Sequence, residues 1–273
     1  MKKLQYLKVI LRCGFKIIYY HFHYMVKFAK HPERYPFEYR YQIARKEISF
    51  VLKRFNVNYN TKNFNKFLNM KSKTLIISNH LSLCDPLVLI ANSEKPITFI
   101  AKKEVFKMPF VGKVAKALEV FSLDREHIMN QLSQIKEIVS YLKDPTKPSV
   151  IVYIEGTRNK KPGTPCLEFH PGTLKIAQMA GVPLISYATF GTFRVLDGKS
   201  YVKPYPTSLS FLTVYETDVV KKINTSEFAI ALKKEVDDEL TNLIKYDKEF
   251  ILNAKISQKR KRLETRCDVS INS

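Results

Sequence analysis

The sequence is poor in glycine, in cysteine and in long apolar runs. Its 273 residues include only 8 glycines and 4 cysteines, so collagen-like and low-complexity structures are excluded. The cysteines lie far apart without a paired metal-binding spacing, which is typical of free thiols in a reducing compartment. Charged residues interrupt every apolar run well short of the roughly 20 residues of a membrane-spanning helix. We find neither an internal repeat nor a glycine fingerprint for nucleotide binding.

Acidic residues are also few. The chain has 25 Asp and Glu against 46 Lys and Arg, so its formal net charge is +21. This excess predicts an anionic partner, either a nucleic acid or an anionic membrane surface. Hydrophobic residues make up 45% of the chain, which is enough for the core of one large domain or of one domain with a small appendage.

The amino-terminal segment has an amphipathic helical pattern. Apolar residues recur at helical spacing over residues 4–29, on a face that ends in Met25 and Ala29, and a basic stripe runs beside them. The pattern predicts a helix in the membrane interface, and the alternative is a core-packed helix with a solvated basic edge. With a second helix from about residue 36 to 55, it forms a predicted membrane-docking arm over residues 1–56. The expected membrane contacts are Lys8, Leu11, Arg12, Phe15, Lys16, Ile18 and Phe22.

Strands and helices alternate from about residue 74 to residue 245. The strands are predicted near residues 73–77, 96–101, 121–125, 149–154, 182–188 and 209–215. This alternation predicts an α/β domain, residues 57–256, with a mixed, largely parallel sheet flanked by helices. The basic tail from Ser257 to Ser273 has little apolar content and is predicted to be disordered.

His80 and Asp85 lie in the turn between a predicted strand and a helix that starts with Asp85 at its N-cap and Pro86 after it. Ligands bind at this end of the strands in open α/β sheets. A neutral His can take a proton from a hydroxyl there, while an Asp holds its tautomer. Alternatively, both are loop polar groups with local roles. Cys84 could act as a nucleophile, but a small buried thiol is the more ordinary role.

Charged residues follow three other predicted strands. Glu155-Gly156-Thr157-Arg158 offers flexible backbone and a guanidinium, which suit a phosphate; the alternative is a surface turn with a Glu–Arg pair. Lys102 ends a strand, where it could meet an anion or belong to a solvated basic turn. Arg125 ends the short strand that begins at Phe121.

Together these stretches resemble the glycerolipid acyltransferase family, and in particular the bacterial lysophosphatidic acid acyltransferases. The resemblance covers roughly residues 57–245. The family's first motif is His, four residues and Asp, and it is intact in Asn79–Pro86. The phosphate motif, usually Phe-Pro-Glu-Gly-Thr-Arg, is Tyr153–Arg158, and the last block matches residues 169–183. The chain departs from the family at Ile154 and Ser186, which replace Pro, and at Glu119, which replaces Gly.

The resemblance implies transfer of a fatty acyl group from an acyl carrier protein or coenzyme A thioester to the sn-2 hydroxyl of lysophosphatidic acid, without a covalent acyl-enzyme. His80 would be the general base, and Asp85 would orient it. The acceptor phosphate would lie against Glu155, Gly156, Thr157, Arg158, Lys102 and Arg125, with Glu155 orienting Arg158 or the loop.

The resemblance also implies no cofactor and no metal, and a peripheral enzyme on the cytoplasmic face of the cell membrane. One alternative is the same chemistry on glycerol-3-phosphate, another lysophospholipid or a lysoglycolipid. Another is a non-catalytic basic protein that binds membrane or nucleic acid, but no nucleic-acid motif is present.

Overall fold

A seven-stranded sheet is the centre of the structure. The structure, a computed structural model, describes residues 7, 10–123, 128–195 and 204–271, with backbone only at 128–130 and 259–271. Within these residues the strand order is β1-β7-β6-β2-β5-β3-β4. All neighbours pair in parallel except β6 and β7, so the predicted mixed, largely parallel α/β sheet is confirmed. The strands are β1 Val57–Lys62, β2 Leu75–Ser78, β3 Ile97–Lys102, β4 Phe121–Leu123, β5 Ser149–Tyr153, β6 Leu184–Phe190 and β7 Tyr205–Tyr215.

Helices cover both faces of this sheet. Three short 3-10 turns, Pro32–Arg34, Lys103–Lys107 and Thr192–Arg194, connect elements, and a π-helical turn, His21–Met25, joins the first two helices. The α-helices are α1 Phe15–Tyr20, α2 Val26–Lys30, α3 Phe37–Arg54, α4 Phe64–Leu68, α5 Asp85–Asn92, α6 Val111–Ala117, α7 Ile128–Lys143, α8 Pro171–Ala180, α9 Thr217–Lys222 and α10 Thr225–Ile271.

Two hydrophobic cores lie on opposite sides of the sheet because alternate residues of each strand point to opposite faces. In β2, Ile76 belongs to one core while Leu75 and Ile77 belong to the other. The first core contains α1, α2, α3 and α5, and we call this side of the sheet the arm face. The second contains α7, α8 and α10, and we call it the α10 face.

The amino-terminal helix differs from the single amphipathic helix predicted for residues 4–29. Gly14 has a positive φ of 61° and precedes α1, and the π-helical turn follows it. Met25, which shares the predicted apolar face with Leu11 and Phe22, is fully buried, and Ile17 and Phe28 are buried with it. The reason is that the segment packs on α3 and α6 through one apolar side, and leaves a different side exposed. The exposed residues are Leu7, Leu11, Phe15, Tyr19 and Phe22.

The carboxyl-terminal helix also departs from the prediction. Disorder was predicted from Ser257, whereas the backbone of α10 continues as a helix to Ile271. This segment contains neither Gly nor Pro and is rich in Lys, Arg, Glu and Gln, which have high helix propensity. None of the described helices combines the length and the apolarity that crossing a bilayer requires.

Candidate active site

The sequence motifs meet at one edge of the sheet. Strands β2, β3, β4 and β5 are parallel, so their carboxyl ends lie side by side. His80 follows β2, the segment 155–158 follows β5, and Lys102 ends β3. Arg125 follows β4 in sequence but lies outside the described residues. We call this side of the sheet the carboxyl edge.

His80 and Asp85 form a hydrogen-bonded pair at this edge. Nδ1 of His80 lies 2.7 Å from Oδ2 of Asp85, and Asp85 is completely buried. Oδ2 also accepts the backbone N–H groups of Leu81 at 2.8 Å and Ser82 at 2.9 Å. With the carboxylate ionised, Nδ1 carries the imidazole proton and Nε2 is left to accept another.

Asp85 does not take the N-cap position that the sequence predicts. Cys84 is the N-cap of α5, and Asp85 is its first helical residue. Its carboxylate bonds back to the N–H groups of the preceding loop instead of the helix's own first turn. The same oxygen therefore fixes both the loop and the imidazole.

Thr192 completes the environment of the Asp85 carboxylate. It begins the 3-10 turn after β6, and its hydroxyl donates a hydrogen bond to Oδ1 of Asp85. Both oxygens of this buried carboxyl group thus have hydrogen-bond partners. The sequence analysis missed this residue; a hydroxyl just beyond a buried strand was its only signal.

The ring and the backbone of His80 also have contacts that fix their positions. The imidazole stacks on the ring of Tyr153, with centroids 4.3 Å apart. Burial raises the pKa of Tyr153 well above its usual value, so the stacking partner stays neutral. The N–H of His80 donates to Oε1 of Glu155 at 2.5 Å, and its carbonyl accepts the N–H of Asn159 at 2.7 Å. The loop after β2 is therefore fastened to the loop after β5.

Asn79 connects the same loop to the other neighbouring strand. Its Oδ1 accepts the N–H of Thr189 at 2.8 Å, and its Nδ2 donates to the carbonyl of Thr189 at 3.0 Å. This paired contact continues the sheet beyond β2 with a side chain. The Asn that precedes the His of the first motif is thus a buried link between β2 and β6.

Within the phosphate motif, the side chains of Tyr153, Ile154 and Glu155 are buried, and those of Thr157 and Arg158 are exposed. Glu155 accepts the N–H groups of His80 and Leu167, the latter at 2.7 Å; burial raises its pKa, while these two bonds lower it. The described residues show no ion pair between Glu155 and Arg158. Gly156 turns the chain with a φ of 67°, and Thr157 and Arg158 are exposed beyond it.

Lys102 is exposed at the end of β3, the strand next to β5. The structure thus brings two cationic side chains, Lys102 and Arg158, to adjacent strand ends at the carboxyl edge. Among the described residues, no cluster of three or more His, Cys, Asp and Glu side chains could hold a metal ion.

Cys84 is not available as a nucleophile. It is fully buried in the core of the arm face, and burial raises the pKa of its thiol to about 12, although a hydrogen bond with Ser82 opposes this. A thiol with that pKa carries almost no thiolate near neutral pH. The structure therefore favours the small buried thiol over the nucleophile.

Glu119 shows how the chain accommodates a departure from the family. It replaces a glycine and has a positive φ of 50°, which is unfavourable for a residue with a Cβ. Its Oε1 accepts from Nη2 of Arg40 at 2.5 Å, and its Oε2 lies 3.2 Å from Nζ of Lys147 and 3.1 Å from the hydroxyl of Tyr141. These contacts, which join α3 to α7 and to the segment after it, offset the strain.

The membrane contacts predicted for the arm occupy different surroundings. Leu11, Phe15 and Phe22 are exposed, and Ile18 is half-buried. Lys8 lies outside the described residues. The guanidinium of Arg12 lies 4.9 Å from the ring centre of Phe55, and Nζ of Lys16 lies 4.4 Å from that of Phe50. These two cations thus pack on aromatic rings of α3 and of its C-cap residue, within the arm itself.

A family model and several known proteins match part of this chain. The model of the acyltransferase family matches residues 56–189. A probable 1-acyl-sn-glycerol-3-phosphate acyltransferase of Mycoplasma genitalium is 30% identical over 165 residues, which is 58% of this chain and 59% of that protein. The protein with the same description from Mycoplasma pneumoniae is 29% identical over 175 residues, 62% of each chain. The chain thus spans about six tenths of these relatives.

A solved structure has the same fold. The crystal structure of the 1-acyl-sn-glycerophosphate (LPA) acyltransferase PlsC from Thermotoga maritima superimposes with a TM-score of 0.64. The alignment covers 89% of this chain and 99% of that one, at 21% sequence identity. The resemblance indicated by the two motifs is confirmed, and the segment 56–189, which carries both of them, is an acyltransferase-family domain.

Proposed function

We propose that the protein transfers a fatty acyl group from an acyl thioester to the sn-2 hydroxyl of lysophosphatidic acid and so forms phosphatidic acid. The hydrogen-bonded pair of His80 and Asp85 at the carboxyl edge carries this proposal. The exposed cations Arg158 and Lys102 on neighbouring strand ends support a phosphate-bearing acceptor. The descriptions of the Mycoplasma relatives support the same acceptor.

The reaction requires one proton to move twice. Nε2 of His80 takes the proton of the acceptor hydroxyl while that oxygen attacks the thioester carbonyl carbon. The tetrahedral intermediate then expels the thiolate, the carbon–sulfur bond breaks, and the imidazolium returns the proton to sulfur. Asp85 is buried and fully hydrogen-bonded, so it stabilises the imidazolium and keeps Nδ1 protonated throughout.

The acceptor phosphate positions the hydroxyl. Arg158 offers a planar pair of N–H donors, which suit two phosphate oxygens, and Thr157 adds a hydroxyl donor beside it. The N–H of Gly156 already donates to the carbonyl of Tyr153 at 2.9 Å, so Gly156 would contribute the turn that leads to these two side chains. Lys102 and Arg125 would supplement their charge. Because Glu155 bonds to the backbone of His80 and precedes this segment directly, the phosphate site and the general base belong to one connected loop system. Such positioning contributes several kcal/mol to lowering a barrier.

The arm would bring the enzyme to its lipid. Its exposed apolar residues Leu7, Leu11, Phe15, Tyr19 and Phe22 recur every three or four residues on both sides of the break at Gly14, and we call them the exposed stripe. The net charge of +21 favours an anionic leaflet. We therefore place the enzyme at the cytoplasmic face of the cell membrane, as a peripheral protein.

The test is acyl transfer to lysophosphatidic acid, in vesicles, by the wild type, His80→Ala and Arg158→Ala. Replacing the general base should lower kcat by roughly 100-fold to 10,000-fold. Removing the guanidinium should instead raise KM for lysophosphatidic acid by roughly 10-fold or more. Circular dichroism establishes that each variant is folded.

The acceptors glycerol-3-phosphate and a lysoglycolipid are measured beside lysophosphatidic acid. If the wild type preferred either of them, lysophosphatidic acid would be wrong as the acceptor, while acyl transfer would remain the proposed reaction. Equal kcat for the wild type and a folded His80→Ala variant would overturn the role of His80.

A further inference from the structure

A groove on the α10 face opens next to the carboxyl edge. It has a volume of about 450 Å³ and lies between α10, the turn after β6 and the loop at Pro162 and Gly163. Lys248 and Lys255 of α10 also line it. Its apolar surface comes from Phe190, Phe193, Ile244, Ile251 and Leu252. Neither the His80–Asp85 pair nor the phosphate motif contributes a side chain to this lining.

Three consecutive residues connect this groove to the His80–Asp85 pair. Thr192 donates to Asp85, Phe193 lines the groove, and Arg194 binds α10. The guanidinium of Arg194 makes two bonds to the carboxylate of Asp247, at 2.7 and 2.6 Å, and both side chains are buried. One turn of chain thus separates the groove from the carboxylate that orients His80, and a buried ion pair fixes that turn to α10.

The groove carries a net positive charge. Arg194 and Asp247 neutralise each other, so Lys248 and Lys255 are left as its unbalanced charges. The exposed Lys160 and Lys161 directly precede the lining residue Pro162. An anionic molecule that also has apolar surface would therefore complement the groove.

The spacing of these charges favours a protein over a small anion. Lys248 and Lys255 are seven residues apart in α10, which corresponds to roughly 10 Å along the helix. Leu252 lies between them and is 59% exposed. Separate lysines around an apolar side chain suit carboxylates spread along a helix of a partner, whereas a pyrophosphate calls for converging donors.

The lipid acceptor would approach from the arm face of the sheet, and the acyl donor would approach from the α10 face. The exposed apolar stripe of the arm belongs to the arm face, and the groove belongs to the α10 face, yet both faces share the carboxyl edge. We propose that the groove docks an acidic acyl carrier protein and directs its thioester arm to His80. This inference rests on the proposed acyl transfer and names its donor.

The test compares two donors in one enzyme. Acyl transfer is measured with carrier protein thioester and with coenzyme A thioester, for the wild type and for the double variant Lys248→Glu/Lys255→Glu. We expect KM for the carrier thioester to rise roughly tenfold or more, because two attractions become repulsions, while KM for coenzyme A thioester and for lysophosphatidic acid changes less than about twofold. The matched control is Lys222→Glu/Lys234→Glu, which changes the same charge at exposed lysines outside the groove.

Direct binding separates the failure of docking from the failure of the chemistry. Binding of the acyl carrier protein is measured by fluorescence anisotropy at low and high salt, independently of turnover. We expect it to weaken with salt and with the groove variant but not with the control. Equal effects on both donors, or equal carrier binding by the groove variant and the wild type, would overturn the docking proposal. If carrier binding behaves as expected but no phosphatidic acid forms with either donor, the proposed function fails instead.

Discussion

At the residue scale, the hydroxyl of Thr192 can affect the proposed general base, His80, without contacting it. Its hydroxyl donates to Oδ1 of Asp85. The other oxygen, Oδ2, is hydrogen-bonded to Nδ1 of His80 and to two backbone N–H groups. Losing this donor would leave Oδ1 buried without its partner and would let the carboxylate rotate. Within the proposed mechanism, we therefore propose Thr192 as a positioning residue that acts on His80 through Asp85.

We expect Thr192→Val, which has nearly the same shape, to lower kcat roughly tenfold, because a misplaced base loses rate and not affinity. KM for both substrates should change little. Thr192→Ser keeps the hydroxyl and should restore most of kcat. Steady-state kinetics on the three folded proteins decide this; an increase in KM at constant kcat would assign Thr192 to substrate binding instead.

The distance along the chain explains which site residues the sequence could reveal. His80 and Asp85 lie in one turn, so their spacing alone suggests that they could meet. Thr192 reaches Asp85 from 107 residues away, and its contact exists only because β6 lies beside β2 in the sheet. No local pattern carries that information. The buried role of Asn79 was hidden for the same reason, since its partner Thr189 is 110 residues away.

At the scale of elements, the junction between α1 and α3 contains a buried carboxyl group. Glu47 of α3 lines a cavity of about 250 Å³ together with Lys16 and Lys46, and among the described residues its Oε2 has no hydrogen-bond partner. Burial raises the pKa of Glu47 to about 7. Packing of the arm therefore favours the neutral form of Glu47.

This pKa gives stability a defined pH dependence. Because the pKa of Glu47 is higher in the folded protein than in the unfolded chain, its contribution is fully present below about pH 4.5 and is lost as the pH rises through about 7. We expect Glu47→Gln, which cannot ionise, to be more stable than the wild type at pH 8 by on the order of 3 kcal/mol. At pH 4 the two should be nearly equal.

Urea unfolding at both pH values measures this difference. Glu38→Gln is the control, since Glu38 is exposed on the same helix. A stability difference between Glu47→Gln and the wild type that does not change with pH would contradict the prediction.

Element boundaries show where sequence patterns suffice. Helix α8, Pro171–Ala180, has a sequence signal at each end, because Pro171 marks its start and Gly181, with a φ of 66°, ends it. Strand β7 begins at Tyr205, four residues before the prediction. Its first residues pair with β1 and β6, so partners in space, and not its own sequence, extend it. The helical end of α10 was missed because low hydrophobicity was given more weight than helix propensity.

For the whole molecule, the packing of the arm on one face of the sheet decides which of its apolar residues are exposed and could contact a membrane. The arm packs through Ile17, Met25 and Phe28 and exposes a second apolar stripe. The helical pattern of the sequence allowed either face to be the packed one, and only the position of α3 and α6 selects between them. The helical pattern alone therefore could not show that Met25 packs in the core while Leu11 and Phe22, on the same predicted face, are exposed.

The exposed stripe predicts how the molecule binds lipid. Leu11 and Phe15 are 73% and 89% exposed, so replacing them with Ser should leave the fold intact. We expect Leu11→Ser/Phe15→Ser to weaken binding to vesicles that contain phosphatidylglycerol roughly tenfold or more, because each apolar side chain contributes about 1.5–3 kcal/mol on burial. Ile230→Ser is the control, since Ile230 is 71% exposed on α10. Sedimentation with vesicles measures both; equal loss in the control, or none in the arm variant, would place the membrane contact elsewhere.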